Sequence, residues 1–499
     1  MRALTRGMEP RAARRFRLAP LVAAVSLVFA GKASAATIAV NDPSEGSVDG
    51  KCTLVDAVQA INGATAVNGC PAGDGVSDTI DLSFFTAATT ISFDAPHSVD
   101  LESALDFAKA ATIAGPLGTD GKPLVTISRS STSGHNFRVL NTSADLTIDG
   151  VKLTGGLVAA RGGGVYAGGY ANLTISNSVV TGNSVTQKDY SSGGGLSSVH
   201  GNITLENSTV SNNYAAKNGG GIYCKLDGTI TLTNSTVSGN NAYNAGGGIY
   251  NFNGNVTLVG STISGNSAGI IYHGTNGNYP RGGFAGGGIY VYRVLRITNS
   301  TLTNNSTVIN GGAIYAAAPF YGRPAHARPR PSLPDTGPTS GLVYMYFSTV
   351  ANNSVNTQYG GSVGGMQANG YLHMVASILS NNVSGNVFAA HGTPTGFVGN
   401  NNLIFGDQPT NAPGDTLTTC DPMLASLGDY GGPTQTLPLL DGSCAIDAGP
   451  ETLPNGITTD QRGLPRPVGA KSDIGAVEKQ GPDDPPDKIF ASGFEDIGS

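Results

Sequence analysis

Eight rows of the form apolar-x-apolar constrain this chain more than any other feature. They begin at Leu146, Leu173, Ile203, Ile230, Val256, Leu295, Val343 and Leu372, at intervals of 27, 30, 27, 26, 39, 48 and 29 residues. Counted from each start, the third position is always Ile, Leu or Met, and the eighth is always apolar, from Leu153 to Leu379. In the last seven rows Ser stands sixth, from Ser178 to Ser377, and Asn eleventh, from Asn183 to Asn382. Period-two alternation sends side chains to opposite faces of a strand. A repeat this short, with three short strands, cannot bury its apolar face alone, but it can by stacking on the next coil. The expected spacing between coils is about 4.8 Å. Parallel strands prefer right-handed crossovers, so the expected fold is all-β, a right-handed parallel β-helix. Left-handed hexapeptide helices use shorter and more uniform coils, and the Leu/Asn signature of leucine-rich repeats is absent. The 72 glycines among 499 residues, with no Trp, fit many tight turns and close backbone approaches.

In this geometry the Asn column acquires two expected tasks. Asn tolerates the left-handed backbone of a sharp corner, and stacked Asn side chains can hydrogen-bond from coil to coil. The Ser column is expected to serve similarly at a strand end. A further strand carries the repeated GGGIY motif. If Val165, Leu196, Ile222, Ile249, Ile289 and Ile314 point inward, then Tyr166, Ser197, Tyr223, Tyr250, Tyr290 and Tyr315 point outward, and Cys224 points in.

Two insertions flank this strand, residues 268–285 before Ile289 and residues 316–341 after Ile314. The second is Pro-rich and locally basic. Loops on a rigid solenoid are where binding is expected. The candidate binding residues are therefore Tyr223, Tyr250, Tyr290 and Tyr315, with Arg281, Arg323, His326 and Arg328 from the insertions. Aromatic faces and arginines would suit a glycan or an extracellular matrix polymer. The same column also reads as a purely structural tyrosine ladder beside a decorated loop.

Residues 1–35 read as a secretory signal peptide: a basic start, the apolar run LAPLVAAVSLVFA and an Ala33-Ser34-Ala35 cleavage site. Without them, seven Lys/Arg and one Glu are lost, leaving 21 basic and 33 acidic side chains and a net charge of −12. Such a balance argues against nucleic acid as a partner. No later run is long and apolar enough for a membrane helix. Cys52 with Cys70, and Cys420 with Cys444, are disulfide candidates near the two ends, and Cys224 reads as a buried small hydrophobe. CTLVDAVQAIN from Cys52 sets Leu54, Ala57, Val58 and Ile61 at helical spacing, so a short amphipathic helix is expected to cap the open end.

Several of these segments carry a resemblance. Cys52 to Asn62, with Asp78-Thr79-Ile80, resembles the CSLREA-type N-terminal region found ahead of bacterial β-helix repeats, although Val55 and Asp56 stand where that pattern has Arg and Glu. The GGGIY and Asn rows resemble the GGAI-type repeats of polymorphic outer-membrane proteins and other pectin-lyase-like helices. DPMLASLGDYGGPTQTLPLLDGSCAIDAG from Asp421, TDQRGLPRP from Thr459 and DIGAVE from Asp473 are similar to the choice-of-anchor Q domain. The resemblance implies an exported protein, extracellular or on the outer surface of a Gram-negative bacterium, and no known reaction. The chain then divides into a signal peptide (1–35), a cap region (36–82), irregular early coils (83–145), regular repeats (146–405), an anchor-Q-like region (406–478) and a linker with an IFASGFE tail (479–499).

Pectin-lyase-like helices include polysaccharide lyases and glycoside hydrolases, so an enzyme is the rival reading. Glycoside hydrolysis needs paired carboxylates in one cleft, and metal-assisted lyases need a carboxylate cluster. Between residues 145 and 400 only Asp145, Asp149, Asp189, Glu206, Asp227 and Asp335 are acidic. The histidines (97, 135, 200, 273, 326, 373, 391) show no metal-ligand spacing. Gly360-Gly361-Ser362-Val363-Gly364 fits a serine elbow only if it lies between a strand and a helix. The acids of the early coils, Asp94, Asp100, Glu102, Asp106 and Asp120, are the remaining place for a catalytic site. No catalytic residue, metal or cofactor is assigned, and the expected function is non-catalytic adhesion or glycan binding.

Overall fold

The computed structural model describes residues 35–98, 100, 102–187, 191–274, 277–281, 285–317, 341–389, 396–406, 409, 412–482 and 484, with residues 270–281 described by their backbone alone. Nearly all of the expected signal peptide (1–35), nearly all of the second insertion and the IFASGFE tail lie outside this set.

The chain winds through four parallel sheets. In one coil, Leu173–Ser176 lies in sheet 1, Val179–Thr181 in sheet 2, Ser184–Val185 in sheet 3 and Leu196–Val199 in sheet 4. Ile203–Glu206 then returns to sheet 1 beside Leu173–Ser176. Each regular coil therefore has four strands, not the three expected, because the corner after the Asn column is itself a two-residue strand. Among the described residues, sheets 1 to 4 hold twelve, eleven, seven and ten strands. All eight row starts pair in register from Leu146 to Leu372. The long intervals thus accommodate loops without slipping the register, which a one-residue shift would invert.

Ile148, Ile175, Leu205, Leu232, Leu258, Ile297, Met345 and Met374, the third positions, are fully buried. Burying one such side chain contributes about 1.5–3 kcal/mol. The early coils are more regular than expected: Asp78–Asp81 and Ala111–Ala114 belong to sheet 1, and Thr89–Phe93 and Val125–Arg129 to sheet 2. What they lack is sheet 3, which begins at Leu157–Val158.

The Asn column is a buried ladder. Asn240 Oδ1 accepts from the Asn213 N–H and Nδ2, both at 3.0 Å, while Asn240 Nδ2 donates to Asn266 Oδ1 at 3.0 Å and to the Val210 carbonyl at 2.9 Å. The same pattern runs from Asn183 to Asn382. The corner task falls elsewhere: left-handed φ belongs to the preceding residue, as at Asn212 (54°), Asn304 (56°) and Gly239 (63°). The ladder side chain must point into the coil interior to reach its neighbours, so the adjacent residue makes the turn. The Ser column bonds likewise, each Oγ from Ser208 to Ser377 accepting the N–H of the Ser one coil earlier, while Ser178 Oγ accepts from the Val151 N–H. At the GGGIY corner, Gly246 has φ +64°, and a Cβ on Gly247 would overlap the carbonyl oxygens of Ser267 and Gly287. Only glycine lets the coils approach so closely there.

The open end is capped by the helix Leu54–Gly63, whose Leu54, Ala57, Val58 and Ile61 are buried. Thr53 caps it, accepting from the Asp56 N–H at 3.3 Å and donating to Asp56 Oδ2 at 2.9 Å. The carboxylate at this third helical position therefore fixes the capping hydroxyl by a side-chain bond, and Ser47 Oγ donates to its other oxygen. Cys52–Cys70 and Cys420–Cys444 are disulfides, and Cys224 is free and buried. Each bridge closes a short loop and contributes about 3 kcal/mol in the chain-entropy account.

After the last strand, Leu403–Phe405, the chain folds back along the exterior of sheet 2. The outward column there changes character on the way: Thr209 and Thr236 are half-buried, Thr262, Thr301 and Thr349 are buried, and Ile378 and Leu403 follow as buried apolar residues. Gln461 fastens the returning segment. Its Nε2 donates to the hydroxyls of Thr262 (3.0 Å) and Thr434 (2.9 Å), and its Oε1 accepts from Thr301 (2.6 Å) and Thr436 (3.0 Å). Arg466 is buried with its guanidinium 4.1 Å from the Phe347 ring centroid. Its Nε sits 3.1 Å from Glu478 Oε2 but off the N–H axis, so this is an ion contact and not a hydrogen bond.

Candidate functional site

The outward column of sheet 4 runs in register through Asp106, Asn141, Tyr166, Ser197, Tyr223, Tyr250, Tyr290, Tyr315 and Gln367. Period-two alternation places these side chains outside while Ile222, Cys224 and Ile249 fill the interior. The structure therefore brings together the four tyrosines expected from the sequence. Tyr223 and Tyr250 stack with centroids 5.5 Å apart, Tyr250 and Tyr290 at 4.8 Å, and Tyr290 and Tyr315 at 5.1 Å.

This stacking changes the expected role of two of them. Tyr223 and Tyr250 are only 7% and 8% exposed. Their ring faces are spent on each other, so they are a base under the surface and not a platform for a sugar. Phe252 and Tyr292, two residues on along the same outward direction, add a second aromatic line, 4.7 Å apart. Phe252, Tyr290, Tyr292 and Tyr315 are half-buried and present the reachable aromatic surface. Burial, then the neighbouring Tyr292, holds the Tyr250 and Tyr290 hydroxyls far above the usual phenol range, and burial raises Tyr223 as well.

Cations stand at one end of this column. Lys225, on the Tyr223 strand, is pushed below the usual lysine range by burial, then by the like charges of Arg161 and Lys217. Neither Lys225 nor Arg161 has an ion pair among the described residues. Arg161 Nε is buried with no hydrogen-bond partner among them, and Ser197 Oγ, where the aromatic column is interrupted, is in the same position. Such groups forfeit hydration without recovering a protein bond. Further along, Arg138 is 6% exposed, lies 5.4 Å from the Tyr166 ring centroid and donates through Nε to the Arg161 carbonyl at 3.3 Å. Burial lowers its basicity, against the pull of Glu102, Tyr166 and Asp106.

Of the insertion residues, Arg281 ends the antiparallel hairpin of Ile270–Gly274 and Gly277–Arg281, described by its backbone alone. Arg323, His326 and Arg328 lie outside the described residues. Among the early acids, Asp106 accepts from Asn141 Nδ2 at 2.6 Å and lines a cleft of about 200 Å³ with Gln59, Asn62 and His97. Asp120 instead pairs with exposed Lys122 at 3.3 Å, outside that cleft. The described residues contain no group of three His, Cys, Asp or Glu side chains placed to hold a metal ion. Ser362 follows a single 3-10 turn, Thr357–Tyr359, and its Oγ bonds Asn310 Oδ1 at 2.9 Å; no helix succeeds it, so it is not a serine elbow. Sequence reading missed Phe252 and Tyr292, which the same period-two rule could have found. Arg161 and Lys225 left no such signal, since their proximity depends on the fold of the corner.

The family model of the right-handed beta helix region matches residues 118–322. The crystal structure of pectate lyase Pel9A is similar at 15% sequence identity, with 89% of this chain and 97% of that chain covered and a TM-score of 0.44. No curated protein matches the chain. Its stacked coils and this matched region make the chain a right-handed parallel β-helix.

Proposed function

We propose that this chain is an exported, non-catalytic β-helix that binds an anionic glycan on the exterior of sheet 4, in the manner of a surface adhesin. The observation that carries the reading is the pairing of half-buried aromatic rings with cations that have no ion pair among the described residues: Phe252 and Tyr292 beside Lys225 and Arg161. Sugar rings offer C–H faces to aromatic surfaces, and a carboxylate or sulfate would relieve the like-charge strain. The stretch from Gly228 to Pro334, which holds Phe252 and Tyr292, has no acid, and Asp227, two residues from Lys225, accepts from Asn253 Nδ2. The CSLREA-type and choice-of-anchor Q resemblances support export and surface display. A glycan array should show acidic polysaccharides retained over neutral ones, with the signal lost on Lys225→Ala and on Tyr292→Ala. Retention unchanged in both variants would contradict the reading.

The second reading is a lyase or hydrolase, favoured by buried Arg138, on which the charges of Glu102 and of Asp106, the first residue of the same column, both act. Release of unsaturated or reducing sugars from an acidic polysaccharide, abolished by Arg138→Ala or Asp106→Asn, would establish it over the first.

A further inference from the structure

Sheet 1 carries a different outward column, and it is more regular than any other. Thr37, Thr79, Thr112, Thr147, Thr174, Thr204, Thr231 and Thr257 pair in unbroken register. Threonine is the ordinary choice there, β-branched and half-solvated. The column then changes abruptly to Arg296, Tyr344 and His373 on consecutive coils. Nothing in the packing of the interior requires this, because the inward partners Leu295, Val343 and Leu372 continue the repeat.

Two of the substituted residues, Arg296 and Tyr344, border a recess. Arg296, Thr298, Tyr344 and Tyr346 from sheet 1, with Asn455 and Ile457 from the returning C-terminal segment, line a groove of about 400 Å³. That volume lies within the range of small-ligand sites. The Arg296 guanidinium lies 5.3 Å from the Tyr344 ring centroid and is exposed, with no carboxylate paired to it among the described residues. Tyr344 and Tyr346 are half-buried, so part of each ring is open. His373 Nδ1 is 3.0 Å from the Tyr346 hydroxyl. In the tautomer that accepts there, Nε2–H is left as a donor.

We propose that this groove is a second glycan subsite, which takes one pyranose unit bearing an anion. The sugar's C–H face lies on Tyr344 and Tyr346, the latter held by His373, its carboxylate or sulfate meets Arg296, and its hydroxyls reach Asn455. The assignment does not depend on sheet 4, which is a separate face. It does require the C-terminal segment, because that segment supplies one wall.

The test uses the full chain carrying Lys225→Ala, so that sheet 4 is silenced and the two sites are read apart. Calorimetric titration employs trigalacturonate, a sulfated chondroitin disaccharide and neutral galactotriose. At least one charged probe is expected to bind, and galactotriose more weakly. The additional change Arg296→Thr, which restores the column's own residue at an exposed position, should weaken that binding about tenfold or more. Binding by neither charged probe, equal binding of galactotriose, or unchanged affinity after Arg296→Thr would each overturn the proposal. A preference for trigalacturonate over the sulfated probe would assign a carboxylate as the anion, and the reverse a sulfate.

Discussion

At the scale of single residues, the ladders show how much a buried polar column can contribute. Asn240 makes four hydrogen bonds with its side chain, two accepted and two donated. Removing that side chain strands a buried N–H and a buried carbonyl, each worth about 1–3 kcal/mol when left unpaired. Asn240→Ala is expected to destabilise the chain by about 2–4 kcal/mol, measured by denaturant unfolding. The tyrosine column predicts a pH dependence whose sign follows from burial. Tyr223, Tyr250 and Tyr290 have raised pKa values in the folded chain, and the buried Cys224 thiol is pushed from 9.0 up to about 12. Their neutral forms therefore contribute stability that is present below the unfolded values, 9.0 for the thiol and 10.0 for the phenols, and lost as pH rises beyond them. Tyrosinate absorbance of these rings should appear only together with loss of β circular dichroism, and Cys224 should resist alkylation until then. Gradual ionisation in a folded chain would contradict this.

Among the elements, the returning C-terminal segment is the most informative. Its attachment uses buried polar side chains, above all Gln461 on the threonines of sheet 2 and Arg466, paired with Glu478 within the segment, on Phe347 between sheets 1 and 2. Removing one partner of a buried charge pair typically costs about 3–5 kcal/mol. Arg466→Ala should release residues 430–480 to proteolysis or amide exchange well before the coils, whose ladders do not involve them. The segment's fold-back was poorly legible in the sequence, for a physical reason. Thr262 bonds the Gln435 carbonyl across 173 positions, a separation that no local period reports. One local sign existed: the outward position of sheet 2 becomes apolar at Ile378 and Leu403, which predicts a cover without saying which segment provides it. By contrast, the rows, the Asn and Ser ladders and the cap helix were legible because each is a short-range pattern repeated at a fixed offset. The left-handed corners were misplaced by one residue, since the column that repeats most visibly is the one that bonds and not the one that bends. Alternation likewise told which way Tyr223 and Tyr250 point, but not that stacking would bury them.

For the whole molecule, a solenoid of parallel coils turns one-residue choices into stripes on its exterior. Sheet 4 is a stripe of aromatic rings with cations at one end, sheet 1 a stripe of threonine that changes to Arg, Tyr and His, and sheet 2 a stripe covered by the chain's own end. Two of the three are open to a ligand, and both combine aromatic surface with positive charge on a chain that is acidic overall, at −6. The charge that matters for binding is thus local, and it is exposed to screening within about 10 Å at 0.1 M salt. The most direct measurement is an equilibrium titration of an acidic polysaccharide against the unmodified chain and against Lys225→Ala with Phe252→Ala. The account predicts affinity that falls with added salt and is about tenfold weaker in the double variant. Equal affinity in the two chains would contradict it.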